Sequence, residues 1–151
     1  MAAPTPAKQL DFFIGRFSPE IAAQARAVLK TVRSRLPGAV EMVYDKANAL
    51  VVGFGPNERP SEAIISVVVF PRWILLYFLQ GAALADPNGL LKGAGKIGRH
   101  IRLTDAKTLD DPGVRELMDD AVELAEVPIP AGQKAKIVIR MVSPKPRRRS
   151  T

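Results

Sequence analysis

No cysteine occurs in this chain. Disulfides, thiolate metal centres and a cysteine nucleophile are therefore excluded, and a reducing compartment suits the composition. Histidine is nearly as scarce. His100 stands alone, so the usual ligand sets for zinc cannot be assembled. One tryptophan, Trp73, and two tyrosines leave little aromatic surface. The opening residues MAAPTPAKQL lack the apolar core of a secretory leader. These absences lead to the expectation of a soluble cytoplasmic protein with no membrane partner.

Acidic residues are missing from one end. From Met1 to Glu126, 15 Lys and Arg balance 15 Asp and Glu, whereas after Glu126 there are 7 basic residues and no acidic one. The net charge of +7 therefore belongs to the last part of the chain. Lys145, Arg147, Arg148 and Arg149 are suited to sequence-independent contact with nucleic-acid phosphates, but no aromatic residue accompanies them to stack on bases. A solvated basic tail explains the same residues.

What is abundant is apolar sequence between Ala63 and Leu79, where 14 of 17 residues are apolar or aromatic. Pro71 and Arg72 at its centre rule against a membrane span and divide it into two strand-length pieces. The β-branched and aromatic content predicts a hairpin, Ala63 to Phe70 and Trp73 to Leu79.

The rest of the chain is arranged around that hairpin. Pro4 and Pro6 are expected to keep the first residues extended, and Leu10, Phe13, Ile14 and Phe17 then mark a short amphipathic helix ended near Gly15. Ser18-Pro19 opens a second helix with the stripe Ile21, Ala25, Val28, Leu29, Val32 and Leu36, stopped by Pro37-Gly38. Val40 to Tyr44 and Ala49 to Phe54 read as paired strands. Leu90 and Leu91 suggest a short helical turn, and His100 to Leu103 a fifth strand. Asp111-Pro112 opens a further helix, and Lys136 to Val142 offers a sixth strand. The expected fold class is α+β, a mostly antiparallel sheet of about five strands flanked by helices. One compact domain is expected over residues 1–130, followed by an extension, 131–151, holding the extra strand and the basic tail. Because the hairpin is apolar at nearly every position, both sheet faces are expected to be covered, the second by the first helix, the C-terminal segment or a second subunit in a homodimer.

The order of segments resembles a bacterial family, the YdhG-like proteins with domain of unknown function 1801. The similar features are a leading helix followed by PGAVEMVY, a strand pair, an apolar hairpin, GAGKIGRHIRL and a closing helix, over roughly Asp11 to Glu126. The most specific part is Gly95-Lys96 with Arg99-His100-Ile101. The resemblance implies a compact α+β fold similar to that of frataxin, and with it an iron-chaperone role on an acidic surface. It supplies no catalytic residue and no cofactor.

Gly93-Ala94-Gly95-Lys96-Ile97-Gly98 formally matches a dinucleotide fingerprint. That motif works between a strand and a following helix, and here it precedes a strand. A phosphate-binding loop of the Walker type fails too: Gly89 is one residue too distant from Gly95, and Ile97 stands where a metal-binding hydroxyl is needed. What remains is a basic glycine loop. Gly93 and Gly95 expose backbone N–H groups beside Lys96, Arg99, His100 and Arg102, with Lys92 nearby, a set able to hold a small anionic ligand. A tight turn before an edge strand, with solvated charges, accounts for it equally simply. Asp119, Asp120, Glu123 and Glu126 share helical spacing that suits oxygen-ligated iron or calcium, or merely a solvated acidic face. No nucleophile motif accompanies His100. The sequence thus points to a binding module with an anion site near Lys96 to Arg102. The alternatives are frataxin-like iron binding on Asp119, Asp120 and Glu123, and nucleic-acid association through the tail.

Overall fold

Each of the three helices opens on the same device. Thr5, Ser18 and Asp111 stand one residue before a proline, and each side chain accepts a hydrogen bond from a backbone N–H of the first turn. The bond from Ile21 N to Ser18 Oγ is 3.3 Å, and that from Gly113 N to Asp111 Oδ1 is 2.9 Å. Such caps satisfy donors that no carbonyl can reach, and proline there loses no helical bond. The resulting helices are α1 (Pro6–Gly15), α2 (Pro19–Arg35) and α3 (Pro112–Leu124). Pro6 therefore starts a helix instead of prolonging an extended segment, because Thr5 supplies the cap. The structure, a computed structural model, describes residues 4–143; Lys145, Arg147, Arg148 and Arg149 lie outside the described residues.

Six strands form one sheet: β1 (Val40–Asp45), β2 (Leu50–Gly55), β3 (Ile65–Val69), β4 (Ile74–Phe78), β5 (Arg99–Leu103) and β6 (Lys136–Val142). The order is β5-β4-β3-β2-β1-β6. Every pairing is antiparallel except β1 with β6, which run parallel and slip register between Val43 and Tyr44. The molecule is a single α+β domain, and β6 occupies the residues offered for a sixth strand, joined to the same sheet. Leu90 and Leu91 are not helical: their N–H groups both donate to the Asp86 carboxylate at 2.9 Å, which fixes a turn instead.

Register assigns the two faces. Val43, Val52, Val67, Leu76 and Ile101 face one side in a continuous row. They join Leu10, Phe13 and Ile14 of α1, Val28 and Val32 of α2, and Leu117 and Met118 of α3 in one core. All three helices therefore pack on the same face. Two carboxylates buried beneath them are held by arginine: Glu41 by a bidentate Arg33 at 2.8 and 2.9 Å, and Asp45 by Arg16 at 2.6 Å. A buried carboxylate needs such a partner, since desolvation alone would disfavour its charge.

The opposite face has no α-helix among the described residues. Its small apolar cluster of Val40, Met42 and Ala63, with Tyr44, Leu79 and Val138 packed on it, contains no helical residue. Segment 60–63 leans over one end, where Gly55 leaves room: a Cβ there would lie 2.9 Å from Ala63 Cα. Elsewhere Val51, Val68, Leu75 and Tyr77 are half-buried. Of the covers expected for this face, neither the first helix nor the C-terminal strand lies over it. Helix α1 joins the others on the first face, and β6 extends the sheet sideways without folding over it. An antiparallel sheet tolerates one solvated face, and β-branched or aromatic side chains on it still shade one another.

Candidate functional site

Strand β5 forms one edge of the sheet and carries most of the basic residues singled out by the sequence. Ile101 and Leu103 point to the helices and are buried. His100 and Arg102, one step out of phase, point to the helix-free face opposite Tyr77 and Leu75. Outside β5 the chain returns as a single bridge, with Lys92 N donating to His100 O at 2.8 Å and His100 N to Lys92 O at 2.9 Å. Lys92 therefore shares the face of His100 and Arg102. Three of the basic side chains are brought together here.

Arg99 is not one of them. Its register partner is Phe78, a residue of the helix-covered face, and its guanidinium closes its own loop. Arg99 Nη1 donates to the Gly98 carbonyl at 2.7 Å and also to the Gly95 carbonyl. Its charge stays in the neighbourhood, while that Nη1 is engaged with two carbonyls. Lys96 sits at the exposed loop tip and forms no ion pair among the described residues.

Two glycines of the loop have clear structural reasons, and Gly95 is not among them. Gly93 takes φ +116°, a conformation that L side chains rarely adopt, and the His100 ring lies against it. At Gly98 a Cβ would fall 1.6 Å from the Tyr77 hydroxyl oxygen, so the tyrosine fills the space that any larger residue needs. At Gly95 a Cβ would meet only the Gly98 carbonyl oxygen, at 3.7 Å, and φ is not positive. The backbone at Gly95 therefore accepts a Cβ without strain. The backbone N–H groups from Gly93 to Gly98 donate to no carbonyl or side chain among the described residues. Residues 93–97 are exposed.

The loop lines neither of two cavities in the structure. One, of about 200 Å³, lies between the end of α3 and segment 61–64, walled by Ala63, Phe78, Leu84, Ala121 and Val127. The other is an open depression where Trp73 and Arg102 meet Ser18, Glu20 and Gln24 at the start of α2. The anion-binding elements thus lie on an exposed edge and a flat face, a geometry suited to an extended ligand more than to an enclosed one.

On α3, Asp119 and Glu123 are exposed and Asp120 is half-buried. No three His, Asp or Glu residues among those described stand where they would hold a metal ion. Asp119 and Asp110 instead act on Arg35, whose pKa is lowered from its ordinary value by burial and by Arg115, with both carboxylates opposing that shift.

The sequence reading missed a set of aromatic residues. Trp73 lies under Arg102, whose guanidinium carbon is 5.2 Å from the ring centroid, and Phe70 stands 5.5 Å from Trp73. The signal was available: positions 73, 75 and 77 alternate with the buried Ile74, Leu76 and Phe78. Comparison with protein-family models, with curated proteins and with solved structures finds no match to this chain. No helix among the described residues is long and apolar enough to cross a membrane.

Proposed function

We propose that the chain is a small cytoplasmic binding module for an anionic ligand, which it takes on the β5 edge. One observation carries this reading. Lys92, Lys96, His100 and Arg102 are gathered at one edge, and none is bonded to a carboxylate, whereas the ion pairs among the described residues all involve other bases. Basic side chains without a carboxylate partner, beside unbonded backbone N–H groups, favour an oxyanion through charge-assisted hydrogen bonds. Frataxin-like iron binding on Asp119, Asp120 and Glu123 has no comparable support, since no ligand cluster forms there.

The test is a calorimetric titration of the full chain with phosphate, pyrophosphate and citrate. One charge-assisted hydrogen bond contributes about 1.5–3 kcal/mol, so Arg102→Ala and Lys96→Ala each weaken binding roughly tenfold or more. Both leave the melting temperature near wild type, because neither side chain is packed in the core. Arg99→Ala does the reverse, lowering stability more than affinity, since its guanidinium holds the loop closed. The reading is overturned if no anion of the panel gives heat, or if Arg102→Ala and Lys96→Ala shift melting alone.

A further inference from the structure

The helix-free face has a pattern of charge that the whole-chain count conceals. Two rows of side chains cross it by register. One runs Lys92, His100, Tyr77, Ser66, Gly53, Met42 and Val138, and the other Arg102, Leu75, Val68, Val51, Tyr44 and Met141. Neither row contains a carboxylate. Both begin with basic residues at the β5 edge. At the β6 edge stand Arg140, beside the register slip, and Lys136, which bonds the rim residue Glu58 at 2.7 Å. The acidic residues of α3, by contrast, belong to the helix layer behind the sheet. Aromatic surface lies between the basic edges: Trp73 is 38 % exposed, with Phe70 against it, and Tyr77 and Tyr44 are half-buried.

An apolar centre with aromatic rings and basic margins, open from Tyr77 and Leu75 through Val68 and Val51, is complementary to a polymer of flat bases on a phosphate backbone. We infer that this face binds single-stranded nucleic acid, bases lying on Trp73, Phe70 and Tyr77 and phosphates reaching Arg102, Lys92 and Arg140. The inference rests on the proposed anion reading and extends it from an edge to a surface. Sequence-tolerant binding follows, because every base has a π-face and the platform offers few groups able to read base edges. Arg102 has a double role, since it covers Trp73 in the free protein and is placed to pair with a phosphate when a base takes that position. A second copy of the chain suits this face less well. It would bring like-charged margins together with no carboxylate in either row to pair them.

Fluorescence anisotropy of the full chain with a labelled oligothymidylate of about 15 nucleotides, long enough to cross a binding face, provides the test. Stacking lost in Trp73→Ala weakens binding about tenfold. Val68→Glu places a carboxylate mid-face and weakens it further, while circular dichroism confirms that each variant folds. In a chain ending at Ser143, contacts from Lys92, Arg102 and Arg140 leave a log–log salt slope of about −2, and the Trp73→Ala effect persists. Several results overturn the inference. If pyrophosphate binds but the oligothymidylate binds no more tightly, the anion reading stands and the platform falls. The same holds if a duplex of equal length binds as well and Trp73→Ala changes nothing. Binding that vanishes with residues 144–151 and ignores Trp73→Ala and Val68→Glu belongs to the tail alone. A concentration-dependent dimer abolished by Val68→Glu, with no oligonucleotide bound, makes the face a self-interface.

Discussion

The two faces of one sheet have been built to different rules. On the helix side Ile65, Val67, Val69, Ile74, Leu76 and Phe78 are each 0 % exposed, and the carboxylates that enter are matched to arginine. On the other side Val68, Leu75 and Tyr77 are half-buried, and the basic side chains at the β5 edge form no ion pair among the described residues. The same strands supply both, so the difference comes from what is packed against them and not from strand composition. A side chain that fills space must fit its neighbours. One that waits for a ligand must remain without them.

The largest test of this contrast uses adjacent residues. Leu76 is fully buried toward the helices and Leu75 half-buried away from them. Leu76→Ala is expected to lose about 3 kcal/mol or more, because a cavity adds to the lost transfer energy. Leu75→Ala, on the half-solvated face, is expected to lose about 1 kcal/mol. Urea denaturation of both variants measures the pair, and equal losses would mean that the second face is covered.

A smaller effect lies at the β5 edge. Gly98→Ala forces the Tyr77 ring to move and is expected to cost about 1–3 kcal/mol. Gly95→Ala makes only an ordinary contact with the Gly98 carbonyl oxygen and is expected to be neutral or to stabilise by up to about 1 kcal/mol, through a less flexible unfolded chain. Thermal melts of the two variants rank them, and a destabilised Gly95→Ala would indicate a tighter loop than the one described.

The smallest effect is at the β6 edge. The Lys136 hydrogen bond, followed by Lys136 charge, holds the exposed Glu58 carboxyl below its ordinary pKa of 4.5. A depressed pKa contributes stability above the unfolded value and loses it as pH falls through the folded one. Wild type and Glu58→Gln are therefore expected to differ slightly near neutrality and to converge in acid. Melting curves from pH 7 to pH 3 follow this, and a gap that widens in acid would contradict it.

Much of this architecture was legible because its causes are local. Ser18-Pro19 and Asp111-Pro112 mark helix starts through capping, and Pro71-Arg72 interrupts an apolar run at a strand length. Thr5-Pro6 carries the same cap signal, yet the nearby Pro4 suggests an extended segment. Leu90 and Leu91 look helical until the Asp86 side chain is seen to compete for their N–H groups. The candidate site was legible in composition and not in direction. A stretch rich in basic residues and glycine does not show that Arg99 turns back on its loop while His100 and Arg102 face outward. Nor does sequence separation show that Trp73 will lie under Arg102. Those facts depend on register between β4 and β5, which hydrophobic pattern only partly constrains.

The parallel partner of β1 comes from far along the chain, since β6 begins at Lys136 and β1 at Val40. During vectorial synthesis, β2 to β5 can form antiparallel neighbours soon after they emerge. The outer edge of β1 must wait for roughly ninety further residues, which at about 5–20 residues per second is several seconds. Through that interval an apolar strand with unpaired N–H and carbonyl groups is open to any extended chain nearby. A nascent or truncated product ending near residue 130 would retain that edge permanently. For this fold the last strand therefore acts as a seal, and its arrival separates a species prone to edge-on self-association from one that is not.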